Sequence, residues 1–182
     1  MGHNVEIKAR ARDFARQRLR AEALTSASAE HLVQKDTFFD VPAGRLKLRE
    51  LGDGSAELIQ YDRDDWFGPK ESRYAVFRTT DPRGLKEVLA KALGIRAVVQ
   101  KRRTVYFFGT TRIHLDEVEG LGSFIEIEVV LGPGQDTQDG SVIAEDLMLK
   151  LEIDKDDLVA GAYVDLLTGV GPTLIRRGAE YD

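Results

Sequence analysis

The sequence predicts an α+β protein in which most strands pair antiparallel, and three observations support this fold class. Eight segments alternate polar and apolar residues with a period of two, the pattern of a strand with two unlike faces. The links between them are short, which favours antiparallel pairing because parallel strands need long crossover connections. Helical patterns fall between and after the strands, so the chain is rich in strands with helices at intervals.

The first strand shows the alternation most clearly. In NVEIKARAR, residues 4–12, polar or charged side chains alternate with valine, isoleucine and alanine. The same pattern recurs along the chain. The predicted strands lie near residues 4–12, 33–39, 45–51, 56–62, 72–79, 97–108, 111–116 and 123–131.

Capping residues predict two helices between the strands. Asp13 is suited to cap a helix over about residues 14–24. In TDPRGLKEVLAKALG, Asp81 suits the N-cap, Pro82 the first turn and Gly94 the C-terminal end. Leucine, valine and alanine form one apolar stripe along this second segment, which indicates a helix packed on one face.

Two further helices are predicted near residues 141–152 and 155–168, after a loop with the sequence GPGQDTQDG. All of these elements are expected to form one domain over residues 1–168. Glycines around a proline then predict a loosely docked C-terminal tail at residues 169–182.

Composition and charge exclude several classes of function. The chain has 182 residues and no cysteine, so disulfides, thiolate catalysis and cysteine-bound zinc are excluded. No apolar run approaches the roughly 20 residues of a membrane helix, and no signal peptide is evident. A cytoplasmic protein without membrane contact is therefore expected. The net charge of −5 argues against binding to a nucleic-acid duplex.

The polar faces of the predicted strands carry charges of both signs. The basic members are Lys8, Arg10, Arg45, Lys47, Arg49, Arg63, Arg73, Lys101, Arg103 and Arg112, and the acidic members are Glu6, Glu57, Asp116, Glu126 and Glu128. For one strand alone, a solvated outer face is the simpler interpretation. Repetition over six or seven strands favours a barrel whose polar faces turn inward while helices cover the apolar outside.

Charges inside a barrel lose water and repel one another, so they need a compensating ligand. A polyanion accompanied by a divalent cation fits both signs. The basic side chains would hold phosphate oxygens, and the carboxylates would hold a hard cation such as Mg²⁺.

Several motifs, taken together, resemble the CYTH superfamily, the triphosphate tunnel metalloenzymes, and are most similar to its class IV adenylyl cyclase-like branch. The motifs are Glu6-x-Lys8, LKLRE at 46–50, Lys101-x-Arg103, RIHLDEVEGLGSFIEIEV at 112–129 and AYVDLL at 162–167. The resemblance implies an eight-stranded antiparallel barrel, open at both ends, that binds a triphosphate such as ATP or tripolyphosphate with Mg²⁺ or Mn²⁺. It also implies a homodimer.

The resemblance implies roles for individual residues. Lys8 and Glu6 are the implied catalytic residues. The implied triphosphate ligands are Lys8, Lys47, Arg49, Arg63, Arg73, Lys101, Arg103 and Arg112, and the implied metal ligands are Glu6, Asp116, Glu126 and Glu128. Asn4 stands where the family has its first acidic residue. An amide oxygen can bind a metal but brings no charge, so one metal position is weakened or remodelled.

Three functions follow from this resemblance. The first is a class IV adenylyl cyclase-like enzyme that converts ATP to cyclic AMP and pyrophosphate. The second is a triphosphatase that hydrolyses inorganic tripolyphosphate, thiamine triphosphate or a nucleoside triphosphate. The third, suggested by Asn4, is a polyphosphate- or nucleotide-binding module without turnover. Two local questions stay open: whether His114 is a base or a structural residue, and whether residues 106–108 pack in the core or stack on a base.

Overall fold

The computed structural model describes residues 2–25, 27–63 and 65–169, and its strands close into an antiparallel barrel. The eight strands are β1 (Gly2–Arg10), β2 (Glu30–Phe39), β3 (Arg45–Glu50), β4 (Ala56–Arg63), β5 (Lys70–Thr79), β6 (Ile95–Phe108), β7 (Thr111–Val118) and β8 (Gly122–Val130). Around the barrel they follow the order β1, β5, β4, β3, β2, β6, β7, β8, and β8 pairs with β1. The predicted fold class, an eight-stranded antiparallel barrel with helices outside, is confirmed.

The helices connect or follow the strands. They are α1 (Phe14–Leu24), α2 (Pro82–Leu93), α3 (Thr137–Lys150) and α4 (Tyr163–Thr168). The side chains of Asp13 and Asp81 accept hydrogen bonds from backbone N–H groups in the first turns of α1 and α2, so both predicted caps are confirmed. No helix in the described part of the chain is long and apolar enough to cross a membrane.

The prediction of one helix over residues 155–168 is wrong. Residues 155–157 form a single 3₁₀ turn, and the chain then runs extended beside β1. The Val159 N–H donates to the Lys8 carbonyl at 2.8 Å. Because the backbone at residues 158 and 159 pairs with β1, the next helix, α4, begins only at Tyr163. Of the predicted C-terminal tail, all residues after Gly169 lie outside the described part of the chain.

The apolar faces of β1, β7 and β8 point away from the barrel axis and pack under α1 and α3. Ile7, Ile113 and Ile127 are at most 1% exposed and form one cluster with Leu147 of α3 and Leu151, which caps its C-terminus. Burial of these side chains against the helices is the main favourable term for this side of the fold. Because successive residues of a strand alternate between its faces, the polar residues on these strands point inward.

Close packing between α3 and β1 leaves no space for a side chain at Gly140. An added Cβ would lie 2.6 Å from Val5 Cγ2 and 2.9 Å from Leu131 Cδ2. Overpacking costs about 1–3 kcal/mol, against a gain of about 1 kcal/mol from alanine in a helix. We therefore expect Gly140→Ala to lower the urea midpoint of unfolding. Gly52→Ala is the control, because nothing lies within 4 Å of its added Cβ, and an equal effect of both changes would contradict the prediction.

Candidate active site

The inward faces of all eight strands surround a cavity of about 610 Å³. Strand pleating sends alternate residues inward, so the polar positions of the sequence patterns meet there. The predicted functional residues that line the cavity are Glu6, Lys8, Lys47, Arg49, Lys101, Arg103, Arg112, Glu126 and Glu128. The prediction that the charged faces converge on a shared interior is confirmed.

Lys47 and Arg49 of β3 are held by a carboxylate that sequence reasoning missed. Asp36 of β2 is 3% exposed and accepts hydrogen bonds from Lys47 Nζ at 2.9 Å and from Arg49 Nε and Nη2 at 2.8 and 2.7 Å. Burial alone would raise the pKa of Asp36, but Lys47 and Arg49 hold it far below its ordinary value. Asp36 is therefore ionised and positions two predicted phosphate ligands.

Asp116 plays the equivalent part for β6. It is fully buried and accepts hydrogen bonds from Arg103 Nε at 2.6 Å, Arg103 Nη2 at 2.5 Å, Lys101 Nζ at 3.1 Å and the Tyr163 hydroxyl at 2.9 Å. Burial opposes ionisation of Asp116, but Arg103 and Lys101 hold its pKa well below the usual range. Asp116 shares the inward face of β7 with His114, but it does not line the cavity, because its hydrogen-bond partners cover the carboxylate. Its predicted role as a metal ligand stays a prediction.

Glu126 of β8 lies at the centre of a second charged group. Its Oε1 lies 3.1 Å from Lys8 Nζ, and its Oε2 accepts a hydrogen bond from Arg103 Nη2. His114 Nδ1 lies 3.5 Å from the same Oε2. Burial alone would raise the pKa of Glu126, but Lys8 and Arg103 lower it well below its ordinary value. Burial, together with Arg103, lowers the pKa of His114, which favours the neutral imidazole.

Glu128 lies two residues along β8 and faces the same cavity. Its Oε2 accepts a hydrogen bond from Arg112 Nε at 2.8 Å, and its Oε1 accepts one from Asn4 Nδ2. In the β1–β8 register Glu128 is directly opposite Glu6, as Glu126 is opposite Lys8. Two carboxylates therefore share one rung of the barrel, although the first acidic residue of the family motif is replaced by an asparagine here.

Two of the cavity lysines titrate near neutral pH. Burial, with the nearby charge of Arg103, lowers the pKa of Lys101 to about 7. Burial, with Arg49, lowers the pKa of Lys47 to about 8. Asp116 and Asp36 oppose these shifts but do not cancel them. Both lysines are therefore partly neutral between about pH 7 and 8. A bound anion would stabilise their protonated forms and so raise the positive charge of the cavity.

Helix α4 packs beside β6, and its first residue reaches the cavity. Tyr163 lines the cavity, donates its hydroxyl to Asp116, and has its ring 3.7 Å from Lys8 Nζ. Asp165 of the same helix bonds Arg45 at 2.8 Å. Burial, with nearby carboxylates, raises the pKa of Tyr163 well above its ordinary value, so the hydroxyl stays protonated.

A buried lysine fixes the segment that precedes α4. Lys70 of β5 is fully buried. Its Nζ donates to the carbonyl oxygens of Trp66 at 3.0 Å, Val159 at 3.2 Å and Ala160 at 2.6 Å. The polypeptide that leads into α4 is therefore tied to the barrel wall.

One predicted triphosphate ligand faces away from the cavity, and the side chain of another is not described. Ser72 and Tyr74 of β5 face inward, so strand alternation turns Arg73 outward. Its side chain is 70% exposed and bonds Glu71 at 2.6 Å, which corrects the prediction that it faces the ligand. The side chain of Arg63 lies outside the described residues, so that prediction is neither confirmed nor contradicted.

The donor types on one wall suit a divalent cation. Glu6, Glu126 and Glu128 lie on adjacent strands, and their oxygens are the ligands that Mg²⁺ and Mn²⁺ prefer. Asn4 Oδ1 beside them is buried without a hydrogen-bond partner among the described residues. Within the same residues, no three acidic or histidine side chains already form a metal-binding group, because Glu126 and Glu128 contact cationic side chains instead.

Comparisons with known proteins agree with this architecture. Adenylate cyclase CyaB of Aeromonas hydrophila is 26% identical over 138 residues, which cover 71% of this chain and 70% of that protein. A solved structure of a Pyrococcus horikoshii protein matches with a TM-score of 0.80 at 25% identity, covering 90% of this chain and 98% of the other.

A protein from Hippeastrum, described as having a dominant triphosphatase activity, matches with a TM-score of 0.62 at 17% identity, over 98% of this chain and all of that one. At this identity the likeness concerns the fold. The CYTH domain matches residues 2–163, which cover the whole barrel and reach the first residue of α4. With its closed barrel and charged interior, this chain belongs to the CYTH domain family.

Proposed function

We propose that this protein is a metal-dependent enzyme that acts on triphosphates, and that it converts ATP to cyclic AMP and pyrophosphate in the manner of a class IV adenylyl cyclase. One observation carries the proposal: cationic side chains from β1, β3, β6 and β7 face carboxylates from β1 and β8 across one cavity. The similarity to a protein named adenylate cyclase supports the choice of reaction.

The cationic side chains would bind the phosphate oxygens. Arg49 and Arg103 are each held through Nε and Nη2 by a buried carboxylate, which fixes the guanidinium planes before the ligand arrives. Preorganised charges of this kind stabilise charge that develops on phosphate oxygens in the transition state. Asp36 and Asp116 are positioning residues in this scheme.

Binding would exchange ion-pair partners on the other wall. A triphosphate would take over Lys8 and Arg112, which now contact Glu126 and Glu128. The carboxylates released in this way, together with Glu6, would hold Mg²⁺ or Mn²⁺. The bound cation would supply positive charge beside the phosphate oxygens. Asp116 is left out of the proposed ligands because it is fully buried and does not line the cavity, unlike Glu126 and Glu128.

Two reactions differ only in the attacking oxygen. In the cyclase, the 3′-hydroxyl of the ribose attacks the α-phosphorus and pyrophosphate leaves. In a triphosphatase, which is the alternative, water attacks the terminal phosphorus. Glu6 is the proposed proton acceptor, Lys8 the proposed catalytic cation, and His114 positions Glu126 and Glu128, which it approaches to 3.5 and 3.7 Å.

Product analysis tests the reaction. The purified protein is incubated with Mg²⁺ or Mn²⁺ and either ATP or tripolyphosphate, and the products are resolved chromatographically. Cyclic AMP with pyrophosphate supports the cyclase. Orthophosphate without cyclic AMP supports the triphosphatase and rejects the cyclase. Tight binding without any product would favour the third function, a binding module.

Glu126→Gln is expected to lower metal-dependent turnover by about 10²–10³-fold, because it removes one preorganised charge while keeping the side-chain shape. Some stability is also expected to be lost, since buried Lys8 loses an ionised partner, so turnover is compared at a temperature where the variant is fully folded. Glu117→Gln is the matched control, because Glu117 lies on the outer face of β7 and is half exposed. Turnover by Glu126→Gln within threefold of the unmodified protein would refute the role given to Glu126.

A further inference from the structure

The cavity changes character toward the end opposite α4. There the lining includes the apolar or aromatic residues Leu32, Tyr74, Val76 and Phe107, together with the charged residues Glu30, Glu57 and Arg78. Arg112 connects these residues to the charged part: it is opposite Phe107 in the β6–β7 register, and nearby Tyr74 helps to raise its pKa. We call Leu32, Tyr74, Val76 and Phe107 the apolar mouth.

A buried polar group marks the boundary between the charged part and the apolar mouth. Gln34 of β2 lies between Leu32 and Asp36, which both line the cavity, and it is opposite Lys101 in the β2–β6 register. The residue is 6% exposed, and its Oε1 has no hydrogen-bond partner among the described residues. Buried polar atoms without a partner are rare and indicate a missing ligand or strain.

This sequence of environments matches the order of groups in one class of molecule. Phosphates would occupy the cationic part, a group with hydroxyls would come next beside Gln34, and a flat apolar ring would lie in the mouth. A nucleoside triphosphate has phosphates, sugar and base in this order. Inorganic tripolyphosphate would leave both Gln34 and the apolar mouth unused.

We propose that Gln34 and the apolar mouth bind the sugar and base of a nucleoside triphosphate, an inference that rests on the proposed triphosphate site. Gln34 accepts a hydrogen bond from a sugar hydroxyl, and Phe107 stacks on the base. Gln34 is then the residue that distinguishes nucleotides from inorganic polyphosphate. An amide that is buried without a protein partner discriminates well, because ligands without the matching hydroxyl leave it unpaired.

Gln34→Leu tests the hydrogen bond, because leucine has a similar size and no polar atom. Calorimetric titrations would compare ATP, 2′,3′-dideoxyATP and tripolyphosphate. We expect the dissociation constant for ATP to rise about tenfold, while those for dideoxyATP and tripolyphosphate stay within twofold. The thermal midpoint should be unchanged or higher, since a buried oxygen without a partner among the described residues is removed. Gln60→Leu is the control, because Gln60 is exposed on β4.

Phe107→Ala tests the ring contact. It should weaken ATP and dideoxyATP about tenfold and leave tripolyphosphate unaffected. Phe77→Ala is its control, because Phe77 is 63% exposed on β5 and does not line the cavity.

Equal losses for ATP and tripolyphosphate in Gln34→Leu, or no loss for ATP, would overturn the inference. Binding of tripolyphosphate but not ATP to the unmodified protein would overturn the inference and leave the triphosphate site intact. Binding of neither would overturn the proposed function, and the inference would fall with it.

Discussion

Replacing Arg103 with methionine is expected to lower the free energy of unfolding by about 3–5 kcal/mol, the usual result of leaving a buried charge without its partner. The Arg103 side chain is 8% exposed and contacts two carboxylates, Asp116 and Glu126. Asp116 would keep only Lys101 and Tyr163 as partners. Because Arg103 helps to hold the pKa of Asp116 below its usual range, this pKa should rise in the variant.

The neighbouring position supplies a matched control. Arg102 contacts Glu117 at 3.2 Å across the same two strands, but their side chains are 75% and 48% exposed. An exposed pair contributes at most about 1 kcal/mol, so Arg102→Met should change the urea midpoint little. Adding Asp116→Asn to Arg103→Met should recover part of the lost stability, since it removes a buried negative charge that has lost its arginine partner. A loss below about 1 kcal/mol for Arg103→Met would show that the pair is not buried in solution.

Strand alternation was sufficient to predict most of the cavity wall. In β3, β7 and β8, charged residues alternate with leucine, isoleucine or valine. The charged residues are therefore expected to face the cavity and the apolar residues to face the other way. Lys47, Arg112 and Glu126 were correctly placed for this reason. One buried face fixes the register, because a shift by one residue would exchange the two faces.

The same reasoning failed where the two faces of a strand do not differ in polarity. In β5 the inward residues Ser72, Tyr74 and Val76 are no more polar than their outward neighbours, and Arg73 was placed on the wrong face. In β2, Asp36 was missed because the polar Lys35 and Thr37 flank it on the other face. Without a contrast between the faces, a local pattern cannot set the phase of the strand.

A second kind of failure concerns contacts between distant parts of the chain. Tyr163 reaches the cavity from α4 and meets Asp116, 47 positions earlier. Lys70 donates to carbonyl oxygens about 90 positions later. No periodicity within a segment reports such contacts. The one local signal is that Lys70 alternates in step with Ser72 and Tyr74, the inward-facing residues of β5. This alternation could have indicated a buried charge.

The barrel neutralises its own interior, and this has a consequence for binding. Asp36, Asp116, Glu126 and Glu128 between them contact the predicted phosphate ligands on β1, β3, β6 and β7. An incoming triphosphate therefore replaces some of these contacts and adds negative charge to the rest. Its affinity should depend on how fully the cavity lysines are protonated.

Triphosphate affinity is expected to fall as the pH rises from 7 to 9. The pKa of Lys101 is lowered to about 7 and that of Lys47 to about 8, chiefly by burial. A bound polyanion favours the protonated lysines and raises both pKa values. Below about pH 7 both lysines are already charged before binding. Above it, binding must recharge them, which weakens the affinity by up to about tenfold per pH unit for each lysine.

Calorimetric titration with tripolyphosphate, in two buffers of different ionisation enthalpy, measures the protons that accompany binding. At pH 8 we expect an uptake of about one proton or more, falling clearly in Lys101→Met, which removes the group that is mostly neutral at that pH. Lys35→Met is the control, because Lys35 lies exposed on the outer face of β2. A dissociation constant that stays level from pH 7 to 9 without proton uptake would mean that both lysines are charged before binding. In that case the carboxylate partners raise the pKa values of Lys47 and Lys101 more than burial lowers them. Ligand binding would then add no proton to the cavity.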